Sequence, residues 1–274
     1  MKRYAVSALL YLAAAFAAAA TLISFLAIIA DIMIKGLPEI SLKLFSPVYD
    51  GENFSMLPAC INTVFMVAFV MALSLPAALF AAIYLSEYSE SETICRLIKS
   101  AVQTLASLPS IIYGIFGYLC FTVRMKMGFS FISGALTMSL MVLPIMIVST
   151  QSALASVSNQ IREGGCALGA TKAIVALKLL VPAAKRGIIS GAILSAGKVV
   201  GETAALIYTL GSSAEMISGL FSSGRTIAVH IYAMCCEGLY VDRAYAASAV
   251  IIIIVVVINA LANFAALKSR EERW

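Results

Sequence analysis

The sequence predicts an all-α polytopic membrane protein with six transmembrane helices. Three observations carry this: 62% of the 274 residues are hydrophobic, only 12% are charged, and apolar runs recur at a length that matches a bilayer. Soluble domains use roughly 45 to 50% apolar residues, and the mean hydropathy of +0.99 lies far from theirs. A spanning helix needs about 20 mostly apolar residues to cross roughly 30 Å of hydrocarbon. Residues 1–274 therefore read as one transmembrane domain, with room for six spans and short connections but no sizeable soluble domain.

The runs fall near residues 5–34, 59–85, 101–123, 131–152, 187–210 and 244–267. The first follows Lys2 and Arg3 as a signal peptide would, but its apolar stretch from Tyr4 to Ile34 exceeds an h-region and has no clear cleavage site. It reads as a retained span. The last contains the β-branched series Ile251 to Ile258, which suits a buried strand in a soluble protein. An isolated strand in lipid leaves its backbone groups unpaired, so length and flanks decide for helix.

Basic residues set the orientation. With the N-terminus cytoplasmic, twelve Lys and Arg fall on inside segments, from Lys2, Arg3, Arg96 and Lys99 to Lys268, Arg270 and Arg273. Six fall outside: Lys35, Lys43, Arg124, Lys126, Arg225 and Arg243. That bias is the one the positive-inside rule favours, and an even number of spans puts both termini inside a plasma (inner) membrane. The formal charge of +5 is a topology signal here, and no nucleic-acid partner is expected.

Enzyme chemistry finds no constellation. The six cysteines form no CxxC pair, the sole histidine, His230, sits beside Tyr232 as a membrane-interface residue would, and no Walker loop or nucleophile elbow occurs. No catalytic residue, cofactor or metal is expected.

Three segments do not span: 35–58 and 211–243 outside, and 153–186 inside. The inside one carries Ile161, Leu168, Ile174, Leu177 and Val181 at helical spacing, which predicts two short helices bent near Gly169 and stopped near Pro182. Composition alone equally suits an amphipathic linker lying on the membrane surface.

Motifs in this segment narrow the choice. Glu163-Gly164-Gly165, three residues, Gly169, nine residues and then Leu179-Leu180-Val181-Pro182 resemble the EAA loop of ABC importer permeases, whose pattern is Glu-Ala-Ala, Gly and Ile-x-Leu-Pro at that spacing. The resemblance implies the type I (MetI-like) permease architecture. It makes 153–186 the coupling loop, with Glu163, Gly164, Gly165, Gly169 and Pro182 meeting an ATPase subunit. The two glycines in place of Ala are expected to loosen the first helix by roughly 0.5 to 1 kcal/mol each.

Narrower signatures follow in order over about residues 58–267. Pro109-Ser110-Ile111-Ile112-Tyr113-Gly114, Ile83-Tyr84-Leu85-Ser86-Glu87-Tyr88, Gly201-Glu202-Thr203-Ala204 and His230-Ile231-Tyr232 resemble the phosphate permease pair, in its PstA-like member. That resemblance implies a homologous PstC-like permease, two PstB-like ATP-binding subunits and a PstS-like extracytoplasmic phosphate-binding protein as partners. Tyr113, Gly114 and Gly201 belong to the signature. Its nearest rivals are molybdate and sulfate permeases; a secondary transporter or channel is a rival of another class.

Lys198 lies about eleven residues into the span that starts near Gly187, hence about 16 Å deep. An unpaired charge there costs about 2.5 to 3.5 kcal/mol on insertion scales, so it is expected to face protein or water and to have a partner. Glu202 supplies one at i+4, on the same helix face. The pair is then either a structural ion pair or, with Thr203, part of an anion translocation path. Relatives of the resembled family usually carry Arg at Lys198 and Pro at Ala205; Lys keeps the charge but lacks the bidentate fork. Small residues at Gly187, Gly191, Gly197 and Gly201 are expected to form the seam with a second subunit.

Overall fold

Helix is how a chain this apolar satisfies its backbone in hydrocarbon. The computed structural model describes residues 2–47, 55–89, 91–237 and 241–271. Among these, eleven α-helices and no strand occur: α1 (Lys2–Gly36), α2 (Leu57–Ile83), α3 (Glu92–Ala106), α4 (Ser110–Gly117), α5 (Phe131–Ala155), α6 (Asn159–Ala167), α7 (Lys172–Ile174), α8 (Val181–Gly201), α9 (Ala204–Thr209), α10 (Ile227–Glu237) and α11 (Val241–Glu271). π-Helical turns close α2 at Tyr84–Tyr88, extend α4 over Tyr118–Arg124 and join α7 to α8 over Val175–Leu180.

The core forms where α2 and α5 pack along their length. Met66 and Val70 of α2 meet Met138, Met141, Val142 and Met146 of α5, and Phe69 stacks edge-on against Phe131 at 5.4 Å. Pro76 and Pro144 lie inside these helices without ending them; each proline removes one backbone bond, and packing against neighbours tolerates the loss. α8 also packs on α5, brought close by glycine: a Cβ on Gly187 would meet Ala153 at 2.5 Å and one on Gly191 would meet Ser149 at 2.6 Å. Those two glycines serve packing within this chain. Gly197 and Gly201, with nothing within 4 Å of a Cβ, are the two that remain open, so the expected intersubunit seam reduces to half its residues.

α1 packs on α11. Lys35 binds Asp31 at 2.8 Å and lies 5.0 Å from the Tyr245 ring, and Arg243 approaches Glu39 to 3.7 Å. Residues 9–28 of α1 are exposed and mostly apolar, as contact with lipid or another subunit requires.

Among the described residues three helices are each long and apolar enough to cross a membrane: Leu9–Glu39, Leu57–Tyr88 and Phe131–Ala155. A fourth crossing needs α3 and the Ser110–Arg124 helix together, and those are bent by 94°. The expected six simple spans are thus revised. The third expected run breaks at Ser107–Pro109, because proline disfavours helix in the residue before it. The fifth breaks at Glu202, whose backbone is extended, and the charges of Lys185, Arg186 and Lys198 lower the apolarity of α8.

Candidate functional site

At one end of the bundle, segment 153–186 folds as a projecting knob. Ser158 Oγ accepts from Gln160 N at 3.3 Å and starts α6; the chain turns at Gly169, whose φ of +81° suits glycine, and Thr171 Oγ1 accepts from Ile174 N at 3.4 Å to restart the helix. The bend falls where the sequence put it. Pro182 does not stop the second helix: it occupies the first turn of α8, where its missing N–H is tolerated, and the π-helical turn before it runs straight on.

The two glycines of the motif differ in role. Gly164 is exposed and open, whereas a Cβ on Gly165 would meet Leu179 Cδ1 at 2.7 Å and Val175 Cγ2 at 3.0 Å. Gly165 thus lets α6 lie on the returning turn, and α6 keeps nine helical residues through both. Beneath it, Val175, Ala176 and Leu180 pack with Ala82, Ile83, Ala153 and Leu154. Glu163, Gly164, Leu168 and Gly169 face outward, and Leu168 is 91% exposed. Helical spacing groups Leu168 with the inward residues, but the turn at Gly169 leaves it exposed at the tip of the knob.

The knob also has a strut that the sequence did not reveal. Arg162 Nη2 binds Glu87 Oε1 at 2.9 Å and Arg162 Nε lies 3.1 Å from both Glu87 oxygens, while Arg162 Nη1 donates to Asn159 Oδ1 at 2.7 Å. Residues 75 apart in sequence carry no periodic signal.

Deeper in the bundle, Lys198 and Glu202 do not pair, which corrects the expected i+4 ion pair. α8 ends at Gly201, and Glu202 turns away to accept from Ala205 N at 3.2 Å, capping α9. Lys198 thus lies in the last turn of α8, and Glu202 just before the start of α9. Glu202 is buried, Thr203 and Lys198 are half-buried, and Lys198 has no carboxylate within 4.0 Å among the described residues.

The signature residues build the frame around this break. Pro109 precedes α4 and Ser110 begins it; Tyr113 Oη donates to Leu105 O at 2.9 Å across the bend. Gly114 brings α4 against α9, since a Cβ there would lie 2.8 Å from Ala205 Cα. Gly201 meets nothing within 4 Å and leaves the side of Lys198 open.

The far end is closed by the segment after α9. Asn62 Nδ2 donates to Glu215 O and Arg225 O at 3.0 and 3.2 Å, and its Oδ1 accepts from Ile217 N at 2.9 Å. Thr63 Oγ1 accepts from Ile227 N at 2.9 Å. His230 is buried within the protein, and burial, with the Arg225 charge, lowers its pKa to about 3.

Comparison with known proteins agrees with this arrangement. The family described as binding-protein-dependent transport system inner membrane component matches residues 74–267. A probable ABC transporter permease protein, YqgI of Bacillus subtilis, is 30% identical over 219 residues, 74% of each chain. A probable phosphate transport system permease protein PstA of Methanocaldococcus jannaschii is 34% identical over 192 residues, 69% of this chain and 67% of that one. A PstA homolog of Mycoplasma pneumoniae is 34% identical over 180 residues, 64% of this chain but 28% of that longer protein. Among solved structures, the inward-facing MetNI methionine ABC transporter aligns over 78% of this chain and 93% of its own with a TM-score of 0.60 at 16% identity, a likeness of fold alone. The chain therefore belongs to the binding-protein-dependent transport system inner membrane components, as a PstA-like ABC importer permease of type I fold.

Proposed function

We propose that this chain is one of the two permease subunits of an ATP-driven phosphate importer. On this reading a homologous PstC-like subunit completes the translocation path, two PstB-like subunits hydrolyse ATP, and a PstS-like protein delivers phosphate from outside. The chain crosses the inner membrane six times, with the Ser110–Arg124 helix beyond the bend and the broken α8–α9 pair each serving as one crossing, and both termini are cytoplasmic. Glu163, Gly164, Leu168 and Gly169 dock on the ATPase, while Gly165 and Pro182 shape the knob that carries them.

The observation that carries the cargo is Lys198. It is a half-buried cation beside a helix break, on a face left open by Gly197 and Gly201, with no carboxylate within 4.0 Å among the described residues to neutralise it. A charge placed so deep is stabilised by a partner, and an anion passing through supplies one. The PstA names of two relatives support phosphate among the oxyanions.

The test is radiolabelled phosphate uptake in cells lacking their own high-affinity system, complemented with this permease and its partner subunits. ATP-dependent uptake that excess molybdate and sulfate fail to inhibit is expected. Lys198→Ala is expected to reduce it to background with the complex still assembled, and Lys198→Arg to retain it. Parental uptake by the alanine variant overturns the path role of Lys198; competition by molybdate or sulfate moves the cargo to that anion.

A further inference from the structure

We infer that Arg162 and Glu87 form a positioning pair that ties the coupling helix to α2, so that motion of α6 reaches the far end of the bundle through α2. The inference rests on the reading of α6 as the ATPase-coupling helix. α6 is joined through the chain to α5 on one side and to α8 on the other. α2 has no such connection. Among the described residues, the Arg162–Glu87 contact is the one polar link between α6 and α2, and its geometry is that of a clamp, with Nε and Nη2 on one carboxylate and Nη1 held by Asn159.

Three features make this a transmission element rather than a surface ion pair. The pair is sheltered, with the Glu87 side chain 11% and the Arg162 side chain 29% exposed, unlike the Arg96–Glu92 pair at 77% and 88%. Exposed i,i+4 pairs contribute little, whereas a sheltered bidentate pair holds a geometry. Glu87 lies in the π-helical turn that closes α2, where Cys95 Sγ of α3 also contacts Leu85 O at 3.5 Å, so the clamp acts on the joint between α2 and α3. Finally, α2 has 27 residues, hence a length of about 40 Å. Its other end carries Asn62 and Thr63, which hold the backbone of Glu215, Ile217, Arg225 and Ile227. A displacement at Glu87 therefore has a stiff path to the segment that closes the far end.

The experiment uses the complete transporter in proteoliposomes and measures phosphate taken up per ATP hydrolysed. Glu87→Gln and Arg162→Gln are each expected to lower that ratio about tenfold while ATP hydrolysis stays within about twofold of the parent. The double exchange Glu87→Arg with Arg162→Glu is expected to restore the ratio, and Glu92→Gln, which opens the exposed pair, to leave it unchanged. Unchanged ratios in the single variants overturn the inference. So does a parallel loss of hydrolysis and uptake that the exchange fails to rescue, which is the behaviour of a pair that only stabilises the fold.

A second readout is independent of the cargo. Spin labels on Cys166 of α6 and on a cysteine replacing Ser218 in the far segment are expected to change separation on ATP binding in the parent and in the exchange, but not in either single variant. If the parent transports no phosphate, the phosphate reading fails while this distance change still decides the clamp.

Discussion

At the scale of single residues, the decisive feature is that Glu202 answers a backbone amide and leaves Lys198 unpaired. A helix that ends in mid-bundle exposes amide and carbonyl groups, and hydrocarbon offers no water to satisfy them. Glu202 Oε1 meets that need at Ala205 N. An uncharged amide at the same place still offers an acceptor. Glu202→Gln is therefore expected to keep the thermal stability of the purified permease in detergent, whereas Glu202→Ala is expected to lose about 1 kcal/mol, read as a lowered melting temperature. Equal loss in both variants would mean that the negative charge, through the dipole of α9 or an ion pair with Lys198, is what matters. The sequence reading named both residues of this site but joined them wrongly. Helical periodicity assumes an unbroken helix, and Gly201 before an acidic residue marks the break only once its backbone is seen.

At the scale of elements, α3 shows the same limit of periodicity and carries its own prediction. Its sequence has three stripes: Cys95, Ile98 and Val102 pack on the core, Ile94, Leu97 and Leu105 are exposed and apolar, and Glu92, Arg96 and Lys99 are exposed and charged. A spanning helix does not keep a charged stripe along its side, but a helix lying in the membrane interface does. The bend of 94° at Ser107–Pro109 agrees with that placement, and it leaves Ser110–Arg124 only about 22 Å for the crossing. Spin labels at Leu97 and Leu105 in a lipid nanodisc are expected to be accessible to oxygen and shielded from a water-soluble nickel complex, with the reverse at Arg96 and Lys99. Uniform oxygen accessibility at all four positions would place α3 across the membrane. The apolar run at 101–123 concealed this because its first residues belong to the interfacial helix, while Pro109, the signal of the bend, was read as part of a family signature. Elements with a strong local cause were legible: the turn at Gly169 came from glycine, and α2 and α5 from unbroken apolarity.

At the scale of the whole molecule, function requires that the knob of α6 and the far segment held by Asn62 lie on opposite sides of the membrane. α5 separates them, since Ser130 at its start bonds to Thr209 at 3.1 Å and Leu154 near its end packs against Val175 and Leu180. On the proposed reading the knob meets a cytoplasmic ATPase and lies inside, the side to which the excess of basic residues assigns it. The chain carries its own probe, because Cys166 on α6 is exposed. In a variant retaining only Cys166, a membrane-impermeant maleimide is expected to label the protein after permeabilisation and not in intact cells. With Cys166 also removed and Lys43→Cys introduced on the short turn Leu42–Phe45 before α2, where Lys43 is exposed, intact cells are expected to label. Labelling of Cys166 from outside would invert the topology, and with it the docking of Leu168 and the clamp at Arg162 would lose their ATPase, whatever the cargo.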